Sequence, residues 1–394
     1  MKFLSYKSCF LRSFSLTITL LLFVNCATSA QSLTLKGYVK SLQSVVFFRV
    51  PPLTESIMLN DQLLHNRLNL RYYPSDKWTL VAELRNRAFF GDQVQLDPNF
   101  IETLSRGSDD YLDLSAGYRN KKGYALHTSL DRLYADFASG NWEFRLGRQR
   151  INWGIGTTWN PNDIFNAYNF TDFDYEERPG SDAIRIRRYF GIASSIELAA
   201  KAAEDWESFS GAILLKMHSG TYDWQVLAGV AENHTVLGGG WAGNLGDASF
   251  KGELAWFLPL EESGESSLAL TMGIDYTFEN QLYLNGGFLF NSLGSSSQSD
   301  ATNLFALELS ARNLYPYKYS VLTQAMYPIT PLLNSGLIVV YSPGESNALF
   351  LNPVMTYSIA ENWDLDFVLQ IFLQKEDIYR SPVQAGFLRT KWSF

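Results

Sequence analysis

The chain has 394 residues, 46% of them apolar, 15% aromatic and 18% charged; this is too much apolar surface for a disordered chain. After residue 30 no stretch approaches the roughly 20 consecutive apolar residues of a spanning helix, so a helical membrane protein is excluded. The formal net charge of -8 argues against nucleic acid as a partner, because that binding neutralises phosphates with Lys and Arg.

Residues 1–30 read as a secretory signal peptide. Lys2, Lys7 and Arg12 give a positive start, 14–24 is a short apolar run, and 27–30 (ATSA) offers small residues for cleavage. A lipoprotein site at Cys26 is disfavoured by the preceding Phe23-Val24-Asn25. Both cysteines, Cys9 and Cys26, fall inside this segment, and His65, His127, His218 and His234 stand alone in the sequence. Neither a disulfide nor a His/Cys metal site is expected of residues 31–394, and no cofactor motif is present.

From residue 32 the pattern alternates. Leu365, Phe367, Leu369, Ile371 and Leu373 share one parity, with Asp366 and Gln370 on the other. The same period of two runs through Leu268 to Tyr276 and Phe250 to Trp256, as expected of strands with one apolar face. Strands are expected at 32–46, 61–74, 77–90, 123–137, 141–151, 181–191, 194–203, 209–218, 222–232, 235–244, 247–258, 266–277, 281–291, 317–327, 335–342, 347–359, 363–374 and 384–394. That is eighteen, with sixteen as the alternative, and an even number puts both termini on the periplasmic side. The stretch 300–313 fits a helix through Leu304, Leu307, Ala311 and Leu314 or a strand through Phe305, Leu307 and Leu309; parity places it in a loop.

A soluble sandwich would alternate too. A closed antiparallel transmembrane barrel is favoured by tight turns (74–76, 139–141, 279–280) alternating with longer loops, and by aromatics at strand ends: Trp78, Trp142, Trp224, Tyr276 and Trp363. The chain also finishes on a strand whose Leu388, Thr390, Trp392 and Phe394 share one face. This ending, Trp392 and Phe394 above all, resembles the insertion signal of outer-membrane barrels, which implies the lipid bilayer and the outer-membrane assembly machinery as partners and a Gram-negative outer membrane as the location.

Charge is uneven. Residues 31–200 hold 20 basic and 20 acidic residues, and residues 201–394 hold 9 and 20. Parity against the apolar face turns Arg67, Arg71, Arg85, Arg87, Arg145, Arg185 and Arg187 to the lumen. These either form a basic wall that orients polar solutes or fill the barrel by pairing with Glu83, Asp131, Glu143 and Asp182. Arg148 and Arg150 share the parity of Leu146. An arginine facing mid-bilayer costs about 2–4 kcal/mol, so either a bulge at Gly147 rephases the strand or the two lie above the apolar band.

The long loop at about 152–180 is rich in aromatics (Trp153, Trp159, Phe165) and then in acids (Asp172, Asp174, Glu176, Glu177). A freely solvated loop would expose too much apolar surface, so it is expected to fold into the barrel mouth, with its acids approaching the arginines and narrowing the pore. Ca²⁺ held by these acids is a lesser alternative. The G-R-Q-x-x-x-W-G stretch from Gly147 to Gly154, the N-P-x-D of Asn160 to Asp163, the Pro179-Gly180 pair and the later Tyr327-Pro328 and Asn352-Pro353 resemble uncharacterised Gram-negative porin-like barrels, distantly similar to alginate-exporter barrels. The resemblance implies passage or export of a solute without naming one.

No G-x-S-x-G, H-E-x-x-H or P-loop occurs, so the sequence does not read as an enzyme. The reading is a porin-like channel for passive passage of small polar, anionic or sugar-like solutes. The alternatives are a barrel moving an apolar ligand or polysaccharide, and a non-conducting structural or assembly barrel.

Overall fold

The computed structural model describes residues 32–49, 56–106, 111–120, 123–166, 174, 176–262, 264–296, 310–345, 347–375 and 377–394. The expected signal segment, Asp172 and most of 300–313 lie outside them. Among the described residues nineteen strands follow in chain order: β1 (Leu33–Phe48), β2 (Ile57–Ser75), β3 (Trp78–Gly91), β4 (Ser115–Asn120), β5 (Tyr124–Ser139), β6 (Trp142–Gln149), β7 (Ser181–Tyr189), β8 (Ser195–Lys201), β9 (Ser210–Ser219) and β10 (Tyr222–Ala231). Then come β11 (His234–Leu245), β12 (Ala248–Pro259), β13 (Ser267–Thr277), β14 (Tyr283–Asn291), β15 (Tyr319–Thr330), β16 (Leu333–Ser342), β17 (Ala348–Ala360), β18 (Trp363–Lys375) and β19 (Tyr379–Ser393). Two short helices, α1 (Asp92–Leu96) and α2 (Phe100–Arg106), precede β4.

Eighteen of these strands pair antiparallel in a closed ring, each with its chain neighbour except that β3 pairs with β5. β4 is the addition: it pairs only with Tyr124–Ser129 of β5, beyond the point where β6 ends. The ring closes between β1 and β19, in register from Tyr38↔Ser393 to Phe48↔Val383. Gly37 and Phe394 exchange both backbone hydrogen bonds at 2.9 Å. A Cβ at Gly37 would lie 2.2 Å from the Arg67 carbonyl and 2.8 Å from the Phe394 ring, so the seam needs a glycine there. Both ends of the described chain sit with the short turns (76–77, 140–141, 220–221, 246–247, 361–362), the periplasmic end of such barrels.

Alternate side chains divide between two environments. Leu35, Val39, Tyr72, Trp78, Leu80, Trp142, Phe144, Leu146, Ile184, Trp224, Val226, Trp256, Trp363, Phe367, Leu388 and Trp392 are exposed on the outer face. They form the apolar band that meets lipid, with Trp78, Trp142, Trp224, Trp363 and Trp392 near the short-turn end. Closure leaves none of the eighteen ring strands with a free edge in that band.

The inside departs from the expected polar or small-residue face. At the loop end, inward positions are apolar and buried: Leu289, Leu322, Val340, Phe350, Phe372, Val383 and Val46 pack with Trp159, Leu314, Tyr315 and Tyr317. On the adjoining arc Leu214, Leu227, Val236 and Phe257 pack with Ile151, Trp153, Ile164 and Phe165. Segments 151–166 and 310–317 thus enter the barrel and need apolar wall residues to bury against.

The arginine parity problem also resolves. Neither the β5–β6 nor the β6–β7 register shifts at Gly147, so there is no bulge. Arg148 keeps the outward parity and is covered by Leu112, whose carbonyl it bonds, while its guanidinium pairs with Asp182 at 2.8 Å. Asp182 therefore belongs to this outer cluster and not among the lumenal acids.

Candidate functional site

The lumen-crossing segment is fixed by inward polar residues of successive strands. Trp153, buried, donates its indole N–H to Glu197 of β8 at 2.7 Å and packs edge-on to Phe165 with centroids 4.9 Å apart. Gln225 of β10 donates to the Trp153 carbonyl at 2.8 Å. Glu253 of β12, 0% exposed, accepts backbone N–H groups of Ile155, Gly156 (2.6 Å) and Asn162 (3.1 Å). Asn162 donates to the Gly239 carbonyl at 2.8 Å, and Asn285 of β14 donates to Thr157 at 3.1 Å. Trp159 ends against Tyr315, centroids 5.8 Å apart. A glycine seat on β11 admits the tip: a Cβ at Gly240 would lie 2.9 Å from Ile155, and one at Gly238 would lie 2.3 Å from Asn162.

Across the barrel, the acids of the same loop meet cations of the opposite wall. Lys40 of β1 lies 2.7 Å from Asp174, and Lys391 of β19 lies 2.6 Å from Glu176. Arg389 reaches Glu176 at 2.8 Å and Arg67 approaches Glu177 at 3.7 Å. Burial alone would raise the Asp174 carboxyl, but His65 and Lys40 outweigh it and hold it below the usual carboxylate range. Glu176 is likewise held low, Lys391 and Arg389 overcoming its burial. Asp163, in the buried turn of the loop, is instead pushed up to about 7 by burial, against the pull of Arg150.

Between these two attachments runs a ladder of arginines and carboxylates. Arg67, wholly buried, bonds Asp131 at 2.5 Å and Glu83 at 2.6 Å. Arg85 lies 3.1 Å from Asp131, and Arg87 bonds the His127 ring at 3.1 Å. Arg145 bonds Asp136 at 2.8 Å, Arg185 pairs with Glu143, and Arg187 bonds Glu197 at 2.5 Å. Tyr189 donates to Glu143 at 2.9 Å. Arg71 is exposed and makes no ion pair among the described residues. Six of the seven expected arginines thus have a partner, five of them a carboxylate, and the wall is a ladder of alternating charge, not bare positive charge.

Sequence reasoning missed Glu253, Glu197, Lys40, Lys391 and Arg132. A register shift between Glu83 and Leu84 where β3 pairs with β5 leaves both Asp131 and Arg132 buried. Arg132 then bonds the carbonyls of Glu177 and Arg178 at 2.9 and 2.8 Å. A bulge of this kind has no parity signature in a single sequence.

No protein-family description and no curated protein matches the chain. Among solved structures it is similar to Acinetobacter baumannii OccAB4, at 10% identity and TM-score 0.59 over 93% of this chain and 100% of that one. It is similar to Pseudomonas aeruginosa OccK9 (OpdG) at 10% identity and TM-score 0.58, over 92% and 98%. Pseudomonas aeruginosa OccK3 (OpdO) follows at 9% identity and TM-score 0.55, over 91% and 95%. These likenesses support the closed antiparallel barrel fold and lend nothing to the alginate-exporter resemblance.

Proposed function

We propose that the chain is a passive channel for small polar solutes, anionic ones preferred, in a Gram-negative outer membrane. The observation that carries this reading is that inward-facing charged side chains stay accessible inside the ring. Arg145 and Arg187 keep 20% and 24% of their side-chain surface, and Lys391, Lys251 and Asp275 keep 19%, 19% and 18%. Charges with that access are wetted from within, and a wetted track along β5–β7, β12–β13 and β19 is a path for ions and polar solutes. Loop residues 151–166 with Trp153 and Trp159, and the acids Asp174, Glu176 and Glu177, narrow that track from both sides. The accessible guanidiniums of Arg145 and Arg187, held in place by neighbouring carboxylates, offer paired hydrogen bonds to passing carboxylate or phosphate groups.

Reconstitution into planar bilayers tests this. Discrete conductance with reversal potentials favouring chloride over potassium is expected; absence of conductance, or strong cation preference, overturns it. The apolar lining at the loop end favours a second reading, a plugged barrel for an apolar ligand, for which the signature is lipid retained through purification together with zero conductance.

A further inference from the structure

The two charge systems in the lumen are balanced differently. On the ladder, the arginines of β2, β3, β6 and β7 are compensated chiefly by carboxylates of neighbouring strands, Glu83, Asp131, Asp136, Glu143 and Glu197. On β1 and β19 they are not. Among the described residues, Lys40, Arg389 and Lys391 there have one ion-paired wall carboxylate, Asp366, which Arg389 bonds at 2.9 Å; Asp364, opposite Lys391 in the β18–β19 register, accepts from Ser358 instead. The remaining two positive charges are met by Asp174 and Glu176 of the inserted loop. The Lys40 side chain has no exposed surface, and its ammonium lies 2.7 Å from the Asp174 carboxylate and 2.6 Å from that residue's carbonyl. An enclosed ammonium left without a counter-charge is strongly unfavourable, so when Asp174 leaves, Lys40 favours another anion in its place, and Arg389 and Lys391, 13% and 19% exposed, offer that anion a second contact.

We propose that the Lys40–Arg389–Lys391 cluster, with His65 beside it, is a binding site for a small dicarboxylate, and that Asp174 and Glu176 occupy it as an internal ligand. This deepens the channel reading above and rests on it, in that the site would be a station on the solute's route. The present occupants are two carboxylates borne two residues apart: one meets the lysine of β1, with the His65 ring nitrogen 3.8 Å away, and the other is shared by Lys391 at 2.6 Å and Arg389 at 2.8 Å. A free dicarboxylate reproduces both contacts. A monocarboxylate leaves one cation unmatched and competes poorly with the tethered pair. Because the loop fills the site, the apparent affinity of the wild type is lowered by the fraction of time the site is vacant.

Calorimetric titration of the detergent-solubilised full chain with succinate, at constant ionic strength, tests the site. The D174N/E176Q variant is expected to bind succinate about tenfold or more tighter than wild type, acetate to bind neither measurably, and K391Q added to that background to abolish the gain. E176Q alone, which leaves Lys40 paired, keeps the test available if the double variant fails to fold, and is expected to show a smaller gain in the same direction. Equal succinate affinity in wild type and loop variants, or a gain that survives K391Q, overturns the proposal. Conductance recorded on the same preparations separates the two readings. Succinate binding without conductance sinks the channel and spares the site, and conductance with no variant-dependent binding does the reverse.

Discussion

Replacing Glu253 with Gln is expected to loosen the lumen-crossing loop without opening the ring. The Glu253 carboxyl accepts three main-chain N–H groups, from Ile155, Gly156 and Asn162, and each such bond contributes about 0.5–1.5 kcal/mol net. A glutamine keeps one oxygen and turns an amide N–H₂ toward donors, so at least one loop N–H is left buried and unpaired, at about 1–3 kcal/mol each. Allowing for non-additivity among neighbouring bonds, the seated loop should lose on the order of 2–4 kcal/mol, between tenfold and a thousandfold in its local opening equilibrium at about 1.4 kcal/mol per decade. Hydrogen exchange at residues 155, 156 and 162 reads this directly, and single-channel current noise reads its effect on the conduit. The barrel's strand pairing does not involve these bonds, so heat-modifiability on gels should be unchanged. Unaltered exchange protection at those three amides in E253Q would refute the reasoning.

Glu143 serves Arg145, Arg185 and Arg187 together, so E143Q should raise anion permeability relative to potassium, read as a shift in reversal potential. Burial raises Asp163 to about 7, above its value in an unfolded chain, so the stability it contributes is complete below the ordinary carboxylate range and is lost as pH rises through about 7. Arg150 and Arg178 oppose that loss and Glu253 adds to it. Thermal unfolding followed from pH 5 to 8 should show a decline in wild type that D163N lessens. G37V places a side chain against the Arg67 carbonyl and the Phe394 ring and should reduce the yield of heat-modifiable barrel.

The ring was legible because lipid on one side enforces a period of two. Each of the eighteen expected strands overlaps one ring strand, and Trp78, Trp142, Trp224 and Trp363 end where strand ends were expected. β4 was missed because six residues with Gly117 and Asn120 carry no apolar stripe. The apolar upper lumen had a visible sign that alternation obscured. In β14, Phe288-Leu289-Phe290 is apolar on both parities, and in β18 Val368 and Phe372 interrupt the polar parity of Asp366 and Gln370. Such runs mean burial on both faces. Glu253 had no sign at all: between Gly252 and Leu254, with Lys251 on the same parity, it reads as any lumen-facing acid. Its role depends on a loop almost a hundred residues earlier. Pairing of lumenal arginines with Glu83, Asp131 and Glu143, one of the two alternatives the sequence leaves open, is found, while Asp182 pairs with Arg148 on the outer side; which arginine meets which acid follows from cross-strand register.

The seam between β1 and β19 joins opposite ends of the described chain, so no fragment lacking either strand can hold a finished wall. Until the last strand arrives, the first presents a row of vacant amides and carbonyls that would recruit any extended neighbour, including a second copy. Loop-closure entropy for so distant a pairing is met only at the final step. Losing Phe394, and with it the two bonds to Gly37, should therefore slow maturation well before it weakens the completed wall.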